Sequence, residues 1–278
     1  MNQQPIPSHP VPLTAEAATA LEQLTIKKHD VAIVLLHWFN ASVWLMELLS
    51  GLALIVAPAY RVMPQWYLIM IASAFGSRAN LLRVHVALGL TWIVVFTVYG
   101  VFGYRNYLRK EVLVNEIGLD HDDWQWLRIR LLLILNRTKE ALPEQGSYNA
   151  GQKLFALLVY TALPVIAITG IIMTFHLLGT AVVAWAMLLH FVAVGIVVSG
   201  LMVHAYMGAV FPEERPAFFS MITGRVNELF AYKHHFKWWK QAKIEQRHWQ
   251  QEFHSTTPSE PKSDRTLRIW GGATVAED

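Results

Sequence analysis

His190 and His204 stand fourteen positions apart within one apolar run, AVVAWAMLLHFVAVGIVVSGLMVHAYMGAVF. At about 100° per residue, fourteen steps return nearly to the starting direction, so on a helix both imidazoles share a face. A rise of about 1.5 Å per residue sets them about 21 Å apart along the axis, roughly two-thirds of a hydrocarbon core of about 30 Å. Ionisable side chains at membrane depth are rare and costly, which makes each a candidate for function. Two on one face, near opposite leaflets, suggest two stacked cofactors. His37 and His85 also fall inside apolar runs and are candidates for the opposing ligands.

Helices that cross a membrane must position these residues, and the composition favours them. Hydrophobic residues make up 54% of the 278 and charged residues only 15%, against about 25% charged in a soluble domain. Four segments exceed the about 17–25 residues that a helical span needs: 31–56, 81–104, 152–175 and 182–211, together a transmembrane domain over 31–211. Trp66 to Phe75 is apolar but too short to cross, and reads as an interfacial or re-entrant piece. Pro164 and Gly170 lie inside the third span, where a kink can be tolerated. Residues 1–30 read as a polar, Pro-containing extension rather than a cleaved signal peptide. Residues 212–253 form a basic, amphipathic segment, and 254–278 read as a flexible tail.

Basic residues set the orientation. Arg105, Arg109, Lys110, Arg128, Arg130, Arg137 and Lys139 crowd the connection between the second and third spans. Arg215, Arg225, Lys233, Lys237, Lys240, Lys243 and Arg247 follow the fourth, whereas the turn HLLGTA between the third and fourth has none. The positive-inside rule then predicts that both termini and the middle connection are cytoplasmic. The basic and aromatic stretch FAYKHHFKWWKQAKIEQRHWQQEF suits either a helix on anionic headgroups or a solvated tail. The small net charge of +3 gives no reason to expect a nucleic-acid partner.

With the N-terminus inside, His37 lies near the inner end of its span and His85 near the outer end of the next. His190 falls at the outer level and His204 at the inner. Depth alone pairs His85 with His190 and His37 with His204. Imidazole is a good axial ligand for haem iron, and helix bundles build such sites from facing helices. Gly51, Gly89, Gly195 and Gly200 offer room for a macrocycle near the backbone. The chain has no cysteine, which excludes thiolate-held clusters and covalent c-type haem within it. Structural zinc usually gathers four ligands at one place. A proton relay would add carboxylates, and Glu47 is the only acid well inside a span. His176, at the outer end of the third span, reads as a surface residue. The expectation is an all-α membrane protein: a four-transmembrane-helix bundle holding two haems b, with a cytoplasmic amphipathic C-terminal helix.

The motif His37-Trp-Phe-Asn40, the His85 helix, the H-x₁₃-H span and Tyr148-Asn-Ala-Gly-Gln-Lys153 resemble the cytochrome b556 (gamma) subunits of respiratory formate dehydrogenases of the nitrate-inducible type. Tyr232-Lys-His-His235 and the tryptophans after it extend the resemblance over about residues 30–240. It departs from the pattern in the N-terminal extension, the enlarged first and middle loops and the last forty or so residues.

The resemblance implies an outer haem on His85 and His190 and an inner haem on His37 and His204. It implies a quinone site, for menaquinone or ubiquinone, at Asn149, Gly151 and Gln152 beside His204. An amide can hydrogen-bond a quinone carbonyl and glycine leaves room for the ring, although Asn-Ala-Gly also suits a plain helix cap. The implied partners are an iron–sulfur (beta) subunit and a molybdenum- or tungsten-dependent catalytic (alpha) subunit at the outer face of the bacterial inner membrane. Membrane lipid surrounds the chain, and a higher oligomer of the heterotrimer is compatible. Electrons would pass from formate through the haems to quinone in anaerobic respiration, with formate oxidation itself on the catalytic subunit. Alternatives are the cytochrome b of a thiosulfate or tetrathionate reductase or of a hydrogenase, or a haem-free membrane anchor or transporter.

Overall fold

The structure is a computed structural model that describes residues 6–103 and 117–256. It is mostly helical. A short helix α1 (Ala15–Gln23) and strand β1 (Thr25–Lys27) precede the first long helix, α2 (Val31–Leu54). Then come α3 (Gln65–Ala74), α4 (Arg78–Gly103), α5 (His121–Ile134), α6 (Ala150–Phe175) and α7 (Thr180–Ala205). A π-helical turn, Tyr206–Val210, and a 3-10 turn, Pro212–Glu214, lead into α8 (Arg215–Thr223), β2 (Arg225–Asn227), α9 (Glu228–His234) and α10 (Phe236–Thr256).

Among the described residues four helical stretches are long and apolar enough to cross a membrane: Val31–Leu54, Arg78–Phe102, Ala150–Phe175 and Thr180–Val210. The last three begin two or three residues before the apolar runs do; for α4 and α6 polar caps satisfy the first N–H groups, whereas α7 starts behind Gly179, which offers no side-chain cap. Ser77 caps α4, its hydroxyl accepting from the Asn80 amide at 3.1 Å. Asn149 caps α6 in a reciprocal capping box with Gln152. The helix continues unbroken through Pro164. Leu35, Val94, Ile168 and Leu189 are exposed along these helices, as suits a surface that lipid covers. Hydroxyls within them fold back on their own helix: Thr91 donates to the Ala87 carbonyl, Thr161 to Leu157 and Ser199 to Gly195. No polar group then faces hydrocarbon unpaired at these positions.

The bundle is built from two antiparallel pairs, α2 with α4 and α6 with α7. The short apolar stretch 66–75 becomes α3, which closes one end of the first pair. Its Tyr67 and Leu68 bury against Ala53 and Leu81, and the Tyr67 hydroxyl donates to the Leu49 carbonyl at 2.8 Å.

At the other end lies a folded cap, and here the sequence-based expectation changes. The N-terminal extension is not merely a polar lead. β1 pairs antiparallel with β2, Ile26 opposite Val226. Ile6, Leu13 and Leu21 pack on a core of Val226, Phe230, Ala231, Tyr232, Phe236 and Trp239. Val11 donates its amide to the Tyr232 hydroxyl and accepts from it through its carbonyl. Phe230, Tyr232, Phe236 and Trp239 of the basic stretch therefore fill protein interior, while Trp249 of the same stretch is exposed. Gly224 makes the turn possible: its φ is +72°, and a Cβ there would meet the His29 carbonyl oxygen at 2.8 Å. The expected flexible tail begins inside α10, and its residues 257–278, like Arg105, Arg109 and Lys110, lie outside the described residues.

The middle connection also carries structure that its charge pattern alone did not signal. α5 opens on a capping box between Asp120 and Asp123. Asp123, 3% exposed, accepts from the Lys153 ammonium of α6, 8% exposed, at 2.7 Å. The same ammonium donates to the Gly118 carbonyl at 3.2 Å. Four helices long enough to cross put the extension, the middle connection and the C-terminal segment at one end of the bundle, where Lys237 of α10 pairs with Asp122 of α5 at 2.5 Å.

Candidate haem-binding site

His85 on α4 and His190 on α7 lie within electrostatic reach of each other. Each has its Nδ1 engaged. The His190 Nδ1 stands 3.1 Å from the Ile166 carbonyl and 3.0 Å from the Thr169 hydroxyl. A carbonyl only accepts, so Nδ1 carries the proton and Nε2 keeps its lone pair for a metal. The His85 Nδ1 stands 2.7 Å from a Glu47 carboxylate oxygen and 2.9 Å from the Ser50 hydroxyl. The Ser50 hydrogen already goes to the Met46 carbonyl at 2.7 Å, so its oxygen accepts from the ring alongside Glu47. Both imidazoles are thereby oriented with the Nε2 lone pair free for a metal. Glycines let the rings sit close to neighbouring helices: a Cβ at Gly51 would stand 3.3 Å from His85 Cε1, and one at Gly170 would stand 3.6 Å from His190 Cε1.

His37 on α2 and His204 on α7 face each other with ring centroids 6.5 Å apart and planes 53° apart. Two imidazoles on one metal, through bonds of about 2 Å, hold their ring centres roughly 6 Å apart. The observed spacing fits one iron between them. His37 Nδ1 is buried with no hydrogen-bond partner, so this ring, unlike those of His85 and His190, has no protein group that fixes its tautomer. Among the described residues no three or more His, Cys, Asp or Glu side chains gather as an ion site would require. The histidines come in twos, the number of axial ligands that a low-spin haem iron takes.

The remaining motif residues hold this frame. Trp38 donates to the Met221 carbonyl of α8 at 2.6 Å, tying α2 to the cap, and Asn40 accepts from the Trp92 indole of α4 at 2.8 Å. Phe155 stacks on His204 with centroids 4.8 Å apart and planes 15° apart. Gly200, expected to make room for a macrocycle, instead makes room for that ring, since a Cβ there would stand 3.0 Å from Phe155 Cδ2. Gly89 faces the Glu47 Oε1, and Gly195 has no such neighbour within 4 Å.

The three quinone candidates sit at the start of α6, on the side of the folded cap and less than two turns before Phe155. Asn149 Oδ1 accepts from the Gln152 amide at 2.9 Å, and Gln152 Oε1 accepts from the Asn149 amide at 3.0 Å. The capping bonds use both side-chain oxygens and leave both NH₂ groups as donors. A cap and a binding role are therefore compatible in the same two residues. A Cβ on Gly151 already meets Asn149 Oδ1 at 3.3 Å and Trp126 at 3.8 Å. Tyr148 stacks with His29, centroids 6.5 Å apart. Burial, then the charge of Lys28, lowers His29 to about 4, so this ring is neutral near pH 7. His235 donates through Nδ1 to the Gly146 carbonyl at 2.8 Å. Burial, and then Lys28, holds it well below the usual histidine range.

Sequence reasoning found the four paired histidines but missed Glu47, Ser50, Thr169 and Ile166 as their supports. Glu47 alone carried a signal, as the single acid deep in a span; a carboxylate beside an imidazole is a common way to orient a metal ligand.

Comparison with known proteins follows the same lines. The family model described as prokaryotic cytochrome b561 matches residues 28–224. The nitrate-inducible formate dehydrogenase cytochrome b556(Fdn) subunit of Escherichia coli (strain K12) is 27% identical over 126 residues, 44% of this chain and 56% of its own length. The formate dehydrogenase cytochrome b556 subunit of Haemophilus influenzae is 27% identical over 126 residues, 44% of this chain and 51% of its own. In these two matches the chain spans about half the length of the relative. A longer match, 24% identical over 224 residues, joins 79% of this chain to 94% of the formate dehydrogenase cytochrome b556(fdo) subunit of E. coli K12.

Proposed function

Because the chain belongs to the prokaryotic cytochrome b561 family, we propose that it is the membrane-anchor and electron-transfer subunit of a formate dehydrogenase complex, carrying electrons through two haems b to menaquinone or ubiquinone. The observation that carries this reading is the two histidine pairs on three of the four spans, one pair with its centroids 6.5 Å apart and the other with both Nδ1 atoms committed. The relatives that carry the formate dehydrogenase name support the choice of complex.

Bound haem b supplies a one-electron iron couple. His85 and His190 would hold one such group at the outer level, oriented by Glu47, Ser50, Thr169 and the Ile166 carbonyl. His37 and His204 would hold the other, with Phe155 fixing the plane of His204. The fourteen-residue interval on α7 separates the levels by about 21 Å along the helix. At the inner mouth the NH₂ groups of Asn149 and Gln152 bind and orient the quinone carbonyls, while Gly151 keeps the approach open. The partners are an iron–sulfur subunit and a molybdenum or tungsten catalytic subunit on the outer face. Formate there yields carbon dioxide, a proton and two electrons; a quinone taking those electrons and two protons at the inner face becomes quinol. Separation of the two half-reactions across the bacterial inner membrane then generates potential.

This reading requires both termini and the middle connection to be cytoplasmic. A reporter active only outside the cytoplasm is expected to be active when fused after Gly179 and inactive after Glu140 or at the C-terminus. The opposite pattern would put the partner enzyme on the wrong face.

The quinone site is tested by Asn149→Ser, which keeps an N-cap acceptor but removes the amide donor. Losing one buried hydrogen bond costs about 1–3 kcal/mol, so quinone binding weakens roughly 5–150-fold. Haem content and haem reduction by the partner enzyme stay intact while turnover of a menaquinone analogue falls. Unchanged quinone kinetics in both Asn149→Ser and Gln152→Ala would move the site elsewhere.

A further inference from the structure

Glu47 is an acid well inside a span, where an unpaired carboxylate is costly. Its side chain is 19% exposed and that of His85 is 22% exposed, and Oε2 stands 2.7 Å from the His85 Nδ1. Its second oxygen, Oε1, is buried with no hydrogen-bond partner, so the contact with His85 is what holds this carboxylate in place. The remaining ligands differ in kind. His190 gives its Nδ1 proton to the neutral Ile166 carbonyl, with the Thr169 hydroxyl beside it, and His37 Nδ1 has no partner at all.

We propose that Glu47 is a positioning residue for the outer haem, setting its potential below that of the inner one through the hydrogen bond from His85 to its carboxylate. The inference rests on the two-haem reading above. A charge-assisted hydrogen bond to a carboxylate draws the Nδ1 proton away from the ring and makes Nε2 a stronger donor. A stronger axial donor stabilises ferric over ferrous iron, and second-shell hydrogen bonding is an established control on haem potential. The outer site then has one anionic support, and the inner His37 has none. Electrons entering at the outer level consequently run downhill toward the inner mouth, the direction that quinone reduction needs. Ser50, whose oxygen shares the same Nδ1 proton, contributes a smaller, neutral part.

The experiment is a redox titration of the whole detergent-solubilised complex, followed in the haem absorbance bands, with haem content counted in parallel. Glu47→Gln keeps the size of the side chain and removes its charge. At fixed potential the ferric-to-ferrous ratio of one haem should fall on the order of tenfold, an upward shift of about 59 mV for a one-electron couple. The other haem should not move, and the gap between the two should narrow. Two haems bound with both potentials unchanged would overturn the role of Glu47 and leave the function intact; so would a shift confined to the inner haem. If Glu47→Gln loses a haem, Glu47→Asp, which keeps the charge but draws the carboxylate back from His85, is titrated instead: one haem raised in potential supports the proposal, and two haems bound with both potentials unchanged overturn it. A wild-type chain with fewer than two haems would overturn the two-haem reading itself.

Discussion

Replacing His190 by alanine removes one b haem and leaves the other, and replacing His37 by alanine removes the opposite one. On the proposed reading each pair would supply two axial ligands from different helices, His190 on α7 with His85 on α4, and His37 on α2 with His204 on α7. Loss of one imidazole leaves the partner ring alone, and the supports at Thr169 and the Ile166 carbonyl then face a cavity instead of a ring. Haem content should fall from two per chain to one in each variant. The surviving haem identifies the level. In His37→Ala the outer haem is still reduced by the partner enzyme but passes nothing to quinone. In His190→Ala the inner haem is no longer reduced by the partner enzyme, yet responds to added quinol. Equal loss of both haems in both variants, in protein that remains folded, would contradict two separate sites.

Lys153→Met lowers stability by about 3–5 kcal/mol, the usual cost of leaving one member of a buried ion pair alone. Asp123 and Lys153 are 3% and 8% exposed, so solvent screens little of this interaction. The bond joins α5 to the start of α6, directly beside the capping box that presents Asn149 and Gln152. The double variant Lys153→Met with Asp123→Asn removes the stranded charge but keeps an acceptor for the Asp120 amide, and should recover most of the loss. The check is the thermal midpoint in detergent, followed through the haem absorbance. A single variant as stable as the wild type would show that the pair is not buried as described.

The helical period made the paired histidines legible: fourteen residues on α7 bring His190 and His204 to one face whatever surrounds them. Span length made the four long helices legible for the same reason, since hydrocarbon thickness sets it. The supports of the histidines were not legible. Glu47 meets His85 only because α2 and α4 pack at a particular rotation, and no local pattern encodes that rotation. The cap was hidden by sequence distance. Thr25 accepts from Arg225 two hundred residues away, and the scattered Ile6, Leu13, Leu21 and Ile26 show no period of their own. α5 did carry a local sign, Asp120 and Asp123 at capping-box spacing, within a stretch whose basic residues drew attention to orientation instead. Asn149 carried two readings, a helix cap and a quinone donor implied by the resemblance; the cap is observed, and because the oxygen makes it the nitrogen remains to donate.

Pyridine haemochrome quantification of the purified wild-type chain, set against protein mass, bears most directly on the two histidine pairs. The expected result is two b haems per chain. A stoichiometry near one, or near zero, in folded protein would contradict it.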